Sequence, residues 1–258
     1  MIDQLRTLGA LMHRDLLIFS AQFKDRGING IAWITMSTWV MHVIMPEMGL
    51  AHMGAFMAIA NVSSSGFWEV GENVSKFAAD LEGERAISYY LTLPISQNMI
   101  FIKMAFTNAI QALIIACAVL PFAVASAWPA FDGSSIVWWK AIVFFIVMHL
   151  FYGFFSLYLS SRVHSMDKLS NLYLRYMFPI YYFGSYNFTW DAMYKAAPYI
   201  AYLNLLNPMT YCMEGIRRAT IGTEGMLSFS TCLVAVCFFT CIFGFFGVKS
   251  LKRKLDCM

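Results

Sequence analysis

The charged residues of this 258-residue chain are bunched, and the gaps between the bunches are long and apolar. Uncharged runs cover 27–46, 48–68, 104–131, 141–161, 176–190, 196–213 and 225–248. A helix that crosses a hydrocarbon core of about 30 Å needs roughly 20 such residues. The runs at 27–46, 48–68, 104–131, 141–161 and 225–248 meet that length, and the shorter 176–190 run is read as a further span. The 196–213 run is broken at Asn207-Pro208, which predicts a shorter helical hairpin over 191–224 that enters the membrane from the outer face and turns back. The expected architecture is an all-α integral membrane protein: one transmembrane domain over 1–258 with six transmembrane helices.

Two segments outside the spans also carry helical periodicity. In the first 26 residues, Ile2, Leu5, Leu8, Met12, Leu16, Phe19 and Phe23 recur at steps of three and four, with Asp3, Arg6, His13, Arg14 and Lys24 elsewhere. That pattern predicts an N-terminal amphipathic interfacial helix over 1–26. Arg14 and Asp15 interrupt the apolar core that a signal peptide would need, so these residues do not read as a cleaved leader. The most charged stretch runs from Glu69 to Arg85, and Val74, Phe77, Ala78 and Leu81 keep helical spacing within it. A coupling segment over 69–92 is therefore expected to hold a short amphipathic helix across the cytoplasmic membrane face.

Composition narrows the function classes. Residues of the apolar set make up 59% and charged residues only 13%, against about 25% charged in an ordinary soluble domain. Too little polar side chain exists to coat a water-facing globule, so a soluble enzyme is excluded. A net charge of +3 gives no electrostatic footprint for nucleic acid. The six cysteines, Cys117, Cys212, Cys232, Cys237, Cys241 and Cys257, lie mostly in apolar runs or next to a basic tail and read as small packing residues.

Basic residues orient the spans. With the amino terminus inside, the inner segments hold Arg6, Arg14, Lys24, Arg26, Lys76, Arg85, Lys103, Arg162, Lys168, Arg175, Lys249, Lys252, Arg253 and Lys254. The outer ones hold only Lys140, Lys195, Arg217 and Arg218. Both termini are thus expected in the cytoplasm. Glu214 precedes Arg217 and Arg218 by three and four residues, the spacing at which helical side chains meet, so a salt bridge is expected to lower the cost of burying them.

The chain carries little visible chemistry. The segments from Gly49 to Gly54 and from Gly66 to Gly71 have the spacing of a phosphate loop but are followed by Ala55 and Glu72, and no Gly-Lys pair occurs. His13, His42, His52, His149 and His164 are too dispersed for a zinc motif. His42 and His52 flank the first outer turn and leave open an alternative role in handling haem or a metal. No serine elbow or membrane-depth aspartate pair is present, and no catalytic or metal-ligating set emerges. Polar residues within the spans include Asn61, Ser63, Ser64, Ser65, Asn108, Gln111 and Asn187, suited to hydrogen bonds between helices or to lining a path.

The order of these parts, with Leu206-Asn207-Pro208-Met209-Thr210-Tyr211, Glu214, Arg217 and Gly222 before the last span and Leu93-Pro94-Ile95-Ser96 before the third, resembles the type-2 ABC exporter permease family. That family often has Gly-Thr-Leu-Glu shortly before the proline, where this chain reads Arg85-Ala86-Ile87-Ser88. The resemblance implies a permease subunit in the bacterial inner membrane, without a cofactor of its own. Two copies would pair, and two copies of a separate cytoplasmic ABC ATPase would supply ATP and Mg. It implies ATPase coupling through Lys76, Phe77, Asp80, Leu81, Glu82, Glu84 and Arg85. It implies an outer gate built from Asn207, Pro208, Tyr211, Glu214, Arg217 and Arg218. A path walled by Tyr181, Tyr182 and Tyr186 would suit an amphipathic, lipid-linked or sugar-bearing cargo.

Overall fold

The structure is a computed structural model that describes residues 2–50, 53–83, 86–93, 95–131, 133–163, 165–222 and 225–256. His52, Glu84, Arg85, Pro94, His164 and Cys257 lie outside the described residues. Among those described, the regular structure is entirely helical: α1 (Ile2–Trp39), α2 (Met53–Glu82), α3 (Ala86–Leu91), α4 (Gln97–Ser126), α5 (Trp138–Arg162), α6 (Leu169–Leu172), α7 (Phe178–Phe183), α8 (Trp190–Ala196), α9 (Pro198–Asn204), α10 (Pro208–Thr220) and α11 (Phe229–Asp256). Four helices among the described residues are long and apolar enough to cross a membrane, namely Arg6–Met48, Gln97–Ser126, Trp138–Arg162 and Phe229–Leu255. This is a multi-pass architecture of the all-α membrane class.

The first helix departs from expectation. Instead of an interfacial helix followed by a span, α1 continues without a break past residue 26, through a π turn (Val40–Ile44) and a 3-10 turn (Met45–Met48). It ends at Gly49, whose φ of 84° fits a residue without a Cβ. The physical reason lies in α4, which runs parallel to α1. Asp15 pairs with Lys103, and Gly30 faces Val119. Part of the apolar stripe predicted for a membrane surface is used against protein, with Phe19 fully buried and Met12, Leu16 and Phe23 half-buried.

The second helix also differs. The predicted coupling helix over 69–92 is the lower half of α2, which stays helical to Glu82, and only Ala86–Leu91 forms a separate short helix. Every residue of α2 from Met57 to Phe67 is buried, because α1, α4, α5 and α10 surround it. Protein on all sides explains why this helix carries Asn61, Ser63, Ser64 and Ser65, which lipid would not tolerate unpaired. The run predicted at 176–190 is displaced toward the amino terminus. Helical structure covers Met166–Lys168, α6, a π turn (Tyr173–Met177) and α7, and ends at Gly184.

Small residues set the closest approaches. A Cβ at Gly153 would lie 2.2 Å from the Ala105 carbonyl oxygen, so α4 and α5 meet backbone to backbone. At Gly215 it would lie 2.1 Å from the Phe144 ring, which fixes α10 against α5. Leu251 of α11 packs with Phe77, Leu157 and Phe101, so the end of the chain returns to the end of the bundle where Asp15 meets Lys103. Five described cysteines are free thiols, with Cys212 and Cys232 buried.

Candidate functional site

Buried polar groups must be paired, and in this bundle they form three levels. At the end that carries the chain termini, α1, α2, α3, α4 and α5 line an open cavity of about 300 Å³. Arg14, Asp15, Asn73, Lys76, Asp80, Thr107, Asn108 and Gln111 are among its walls. Lys103, only 4% exposed, holds Asp15, and the Tyr90 ring lies 4.8 Å from the Arg14 guanidinium and 5.4 Å from the Lys103 ammonium.

The proposed coupling residues divide at this level. Phe77 and Leu81 face inward, buried with Ile87 and Phe101, so neither offers a surface to a soluble partner. Asp80 accepts from the Ala86 and Ile87 N–H groups at 2.9 and 3.1 Å and so caps α3. The Lys76 ammonium donates to Gln22. Exposed Glu82 accepts from the Met166 N–H at 2.9 Å. Tyr89, 62% exposed, is one of the large outward side chains of this end.

Two turns further along α1, a second cavity of about 420 Å³ opens between α1, α2 and the π turn. Arg26, Trp33, Asn61, Ser64, Trp68, Glu69, Glu72 and Tyr173 contribute to its lining. Arg26 donates to Glu69 at 2.6 Å and lies 3.9 Å from Glu72. Above this ion pair, the Asn61 amide donates to Ser37 and Thr38 at 2.9 and 2.8 Å and accepts from the Tyr186 hydroxyl. Gly71 admits the Tyr173 ring, since a Cβ there would lie 2.5 Å from the phenol oxygen.

The three tyrosines proposed for a path differ in setting. Tyr181 and Tyr186 are buried, with ring centroids 4.4 Å apart and Tyr181 also 5.0 Å from Trp68, whereas Tyr182 is 56% exposed with its ring edge-on to Tyr181 at 5.4 Å. The two buried rings wall off the core behind Asn61. The open polar space lies on the other side of that asparagine, lined by Asn61, Ser64 and Ser65, which the sequence suits to interhelical hydrogen bonds or to a path, and by Glu69 and Glu72 of the expected coupling segment.

The far level holds an apolar cavity of about 430 Å³, with Val62, Trp128, Phe131, Trp138, Ile142 and Ile216 among its walls, and beside it α10 is held by buried polar contacts. Asn207 caps α10 by accepting from the Met209 N–H at 3.0 Å, donates to the Ile180 carbonyl at 2.8 Å, and is followed by Pro208 in the first turn. Tyr211 donates to the Leu205 carbonyl at 2.9 Å. The expected pairing of Glu214 with the arginines is replaced by backbone contacts. Glu214, fully buried, accepts from the Trp190 and Leu227 N–H groups at 2.8 and 3.0 Å. Arg217, also fully buried, donates to the Ser185 and Tyr186 carbonyls at 2.5 Å each and lies 3.5 Å from the Phe56 ring centroid. The chain at 184–189 is not helical, so its buried backbone groups need outside partners; Arg217 supplies two of them, and Glu214 takes the N–H groups of Trp190, at the start of α8, and of Leu227, before α11. Arg218 is exposed. Residues 190–220 form three short helices, α8, α9 and α10, where a two-helix hairpin over 191–224 was expected.

His42 packs over Gly54, and among the described residues no group of three His, Cys, Asp or Glu side chains comes together to hold a metal ion. Comparison with protein-family models, with curated proteins and with solved structures gives no match.

Proposed function

We propose that the chain is the membrane-spanning permease subunit of an ATP-driven exporter of the type-2 ABC class. The observation that supports it is the asymmetry of the bundle. Two cavities with charged and amide side chains in their walls lie one above the other toward the end that carries the termini, whereas the cavity toward the opposite end is apolar and lies beside α10, whose Glu214 and Arg217 are locked into backbone contacts. A protein that takes cargo from one side and releases it on the other needs such a difference between its two ends.

In this reading α2 and the 166–183 stretch complete six spans, and the terminal end faces the cytoplasm of a bacterial inner membrane. The chain pairs with a second copy. The absence of a Gly-Lys phosphate loop from the sequence assigns ATP hydrolysis to two copies of a separate ABC ATPase. That subunit docks near exposed Glu82 and Tyr89 and the adjoining 84–85 segment, while Phe77 and Leu81 hold the docking helix ends in place from inside. Opening of the outer end requires α10 to move relative to the 184–189 segment, which makes the Arg217 and Glu214 contacts the lock that ATP-driven motion must release.

The test is reconstitution. The chain, tagged and expressed with the ATPase of its own cell, is purified and placed in liposomes. ATP hydrolysis that follows the tag, together with ATP-dependent accumulation of a lipophilic probe, is the expected result. A preparation that retains no ATPase overturns the assignment.

A further inference from the structure

The upper cavity has a charge and a surface that select among cargo chemistries. Its lining holds one cationic side chain, Arg26, and two carboxylates, Glu69 and Glu72. Arg26 is spent on Glu69, and both side chains are nearly buried, at 12% and 9% exposure. Glu72 is different: its carboxylate lies 3.9 Å from the guanidinium and its side chain is 57% exposed. Lys76, four residues on, directs its ammonium to Gln22 instead. The lining therefore carries one carboxylate more than it has cationic side chains, and Glu72, which Arg26 reaches only at 3.9 Å, is the exposed one, with the Lys76 ammonium beyond the lining and turned to Gln22.

Apart from exposed Asn29, the amide and hydroxyl groups that α2 contributes to the lining are also committed. Asn61 uses its amide on Ser37 and Thr38 and its carbonyl on Tyr186. The Ser64 and Ser65 hydroxyls donate back to the Asn61 and Val62 carbonyls at 3.0 and 2.7 Å. A sugar would find few free donors here, and an anion would meet an excess of carboxylate. Aromatic faces remain. Trp33, 59% exposed, stands on α1 opposite Trp68 on α2 and Tyr173 on the π turn. Indole and phenol rings attract a cation placed over their faces, most strongly when it is partly desolvated.

We propose that this cavity binds the head of an amphipathic organic cation, with Glu72 as counter-ion and Trp33, Trp68 and Tyr173 as aromatic walls. The assignment rests on the exporter reading for its role as cargo recognition, but not for binding itself. A cation of this kind reaches the site beside Trp33, keeps its apolar body against the rings, and leaves the Arg26 to Glu69 pair intact as the floor.

The experiment measures equilibrium binding of tetraphenylphosphonium to the purified full chain in detergent, without ATPase or ATP. Tetraphenylborate, of the same shape and opposite charge, is the comparison. Tetraphenylphosphonium is expected to bind at least about tenfold more tightly. Glu72→Gln is expected to weaken it about tenfold and to narrow the gap to tetraphenylborate. Trp33→Leu is expected to weaken the cation about fivefold, and Glu47→Gln at the far end to leave both affinities unchanged. Equal affinity for the two ions, or a Glu72→Gln variant that elutes as a single species and binds like the parent, overturns the proposal. Because no ATPase is present, that failure leaves the exporter reading standing, whereas intact cation binding with no co-purifying ATPase removes the exporter reading alone.

Discussion

Arg217 shows how a single charged residue can be tolerated in a buried position. Its guanidinium is fully buried, yet it meets no carboxylate within ion-pair distance among the described residues; two carbonyls and the Phe56 face receive it. The planar fork suits two adjacent carbonyls better than an ammonium does. Arg217→Ala removes two charge-assisted bonds and strands Ser185 and Tyr186, at an expected cost of about 3 kcal/mol. Arg217→Lys keeps the charge but reaches only one carbonyl, so an intermediate loss is expected. Unfolding of the detergent-solubilised protein by denaturant checks the order. If Arg217→Lys is as stable as the parent, the two-carbonyl geometry carries no stability.

At the scale of elements, the α1 to α2 and α4 to α5 contacts are made by different physics. Asn61 ties α1 and the 184–189 segment to α2 through interhelical hydrogen bonds, which contribute roughly 0.6 kcal/mol each in membrane proteins. Asn61→Leu is therefore expected to cost about 2 kcal/mol and to loosen α1 in particular, read as faster hydrogen exchange along α1 than along α4. Gly153 acts by absence of volume. Gly153→Val would drive a side chain into the Ala105 backbone, with an expected loss of about 1–3 kcal/mol from overpacking and no relief from trimming Ala109. An unchanged unfolding midpoint for Gly153→Val would show that α4 and α5 can separate freely.

The legible part of these elements was what depends on neighbours in sequence. Apolar run length marked the four helices able to cross a membrane, and Asn207-Pro208 marked the start of α10. Three things required knowledge of distant partners. Asp15 and Lys103 are 88 positions apart, so nothing local announced that α1 lies along α4 as one helix. The run 48–68 met the length for a span like the others, and sequence cannot say that protein surrounds the polar residues of α2. Glu214 and Arg217 had the right spacing for each other, but the backbone of 184–190 and Leu227 competed for them and won.

For the whole molecule, the alternation of helices has a consequence that labelling can read. Asp15, Lys103, Phe77 and Leu251 mark one end of the bundle, and most of the basic residues that orient membrane proteins cluster toward that end. Glu47, Gly133 and the outward face of α9, where Tyr199 is 87% exposed, mark the opposite one. The six cysteines are first replaced by alanine, and single cysteines are then introduced as Glu47→Cys, Gly133→Cys, Tyr199→Cys and Tyr89→Cys. In intact cells, a membrane-impermeant maleimide is expected to label the first three, and Tyr89→Cys only after permeabilisation. Reversed labelling of all four would invert the orientation and place the polar cavities toward the outside, which is incompatible with cargo capture from the cytoplasm. Labelling of Tyr199→Cys from the cytoplasmic side alone would instead leave the long helices in place and show that α8 to α10 cross to the other face, removing the difference between the two ends on which the exporter reading depends.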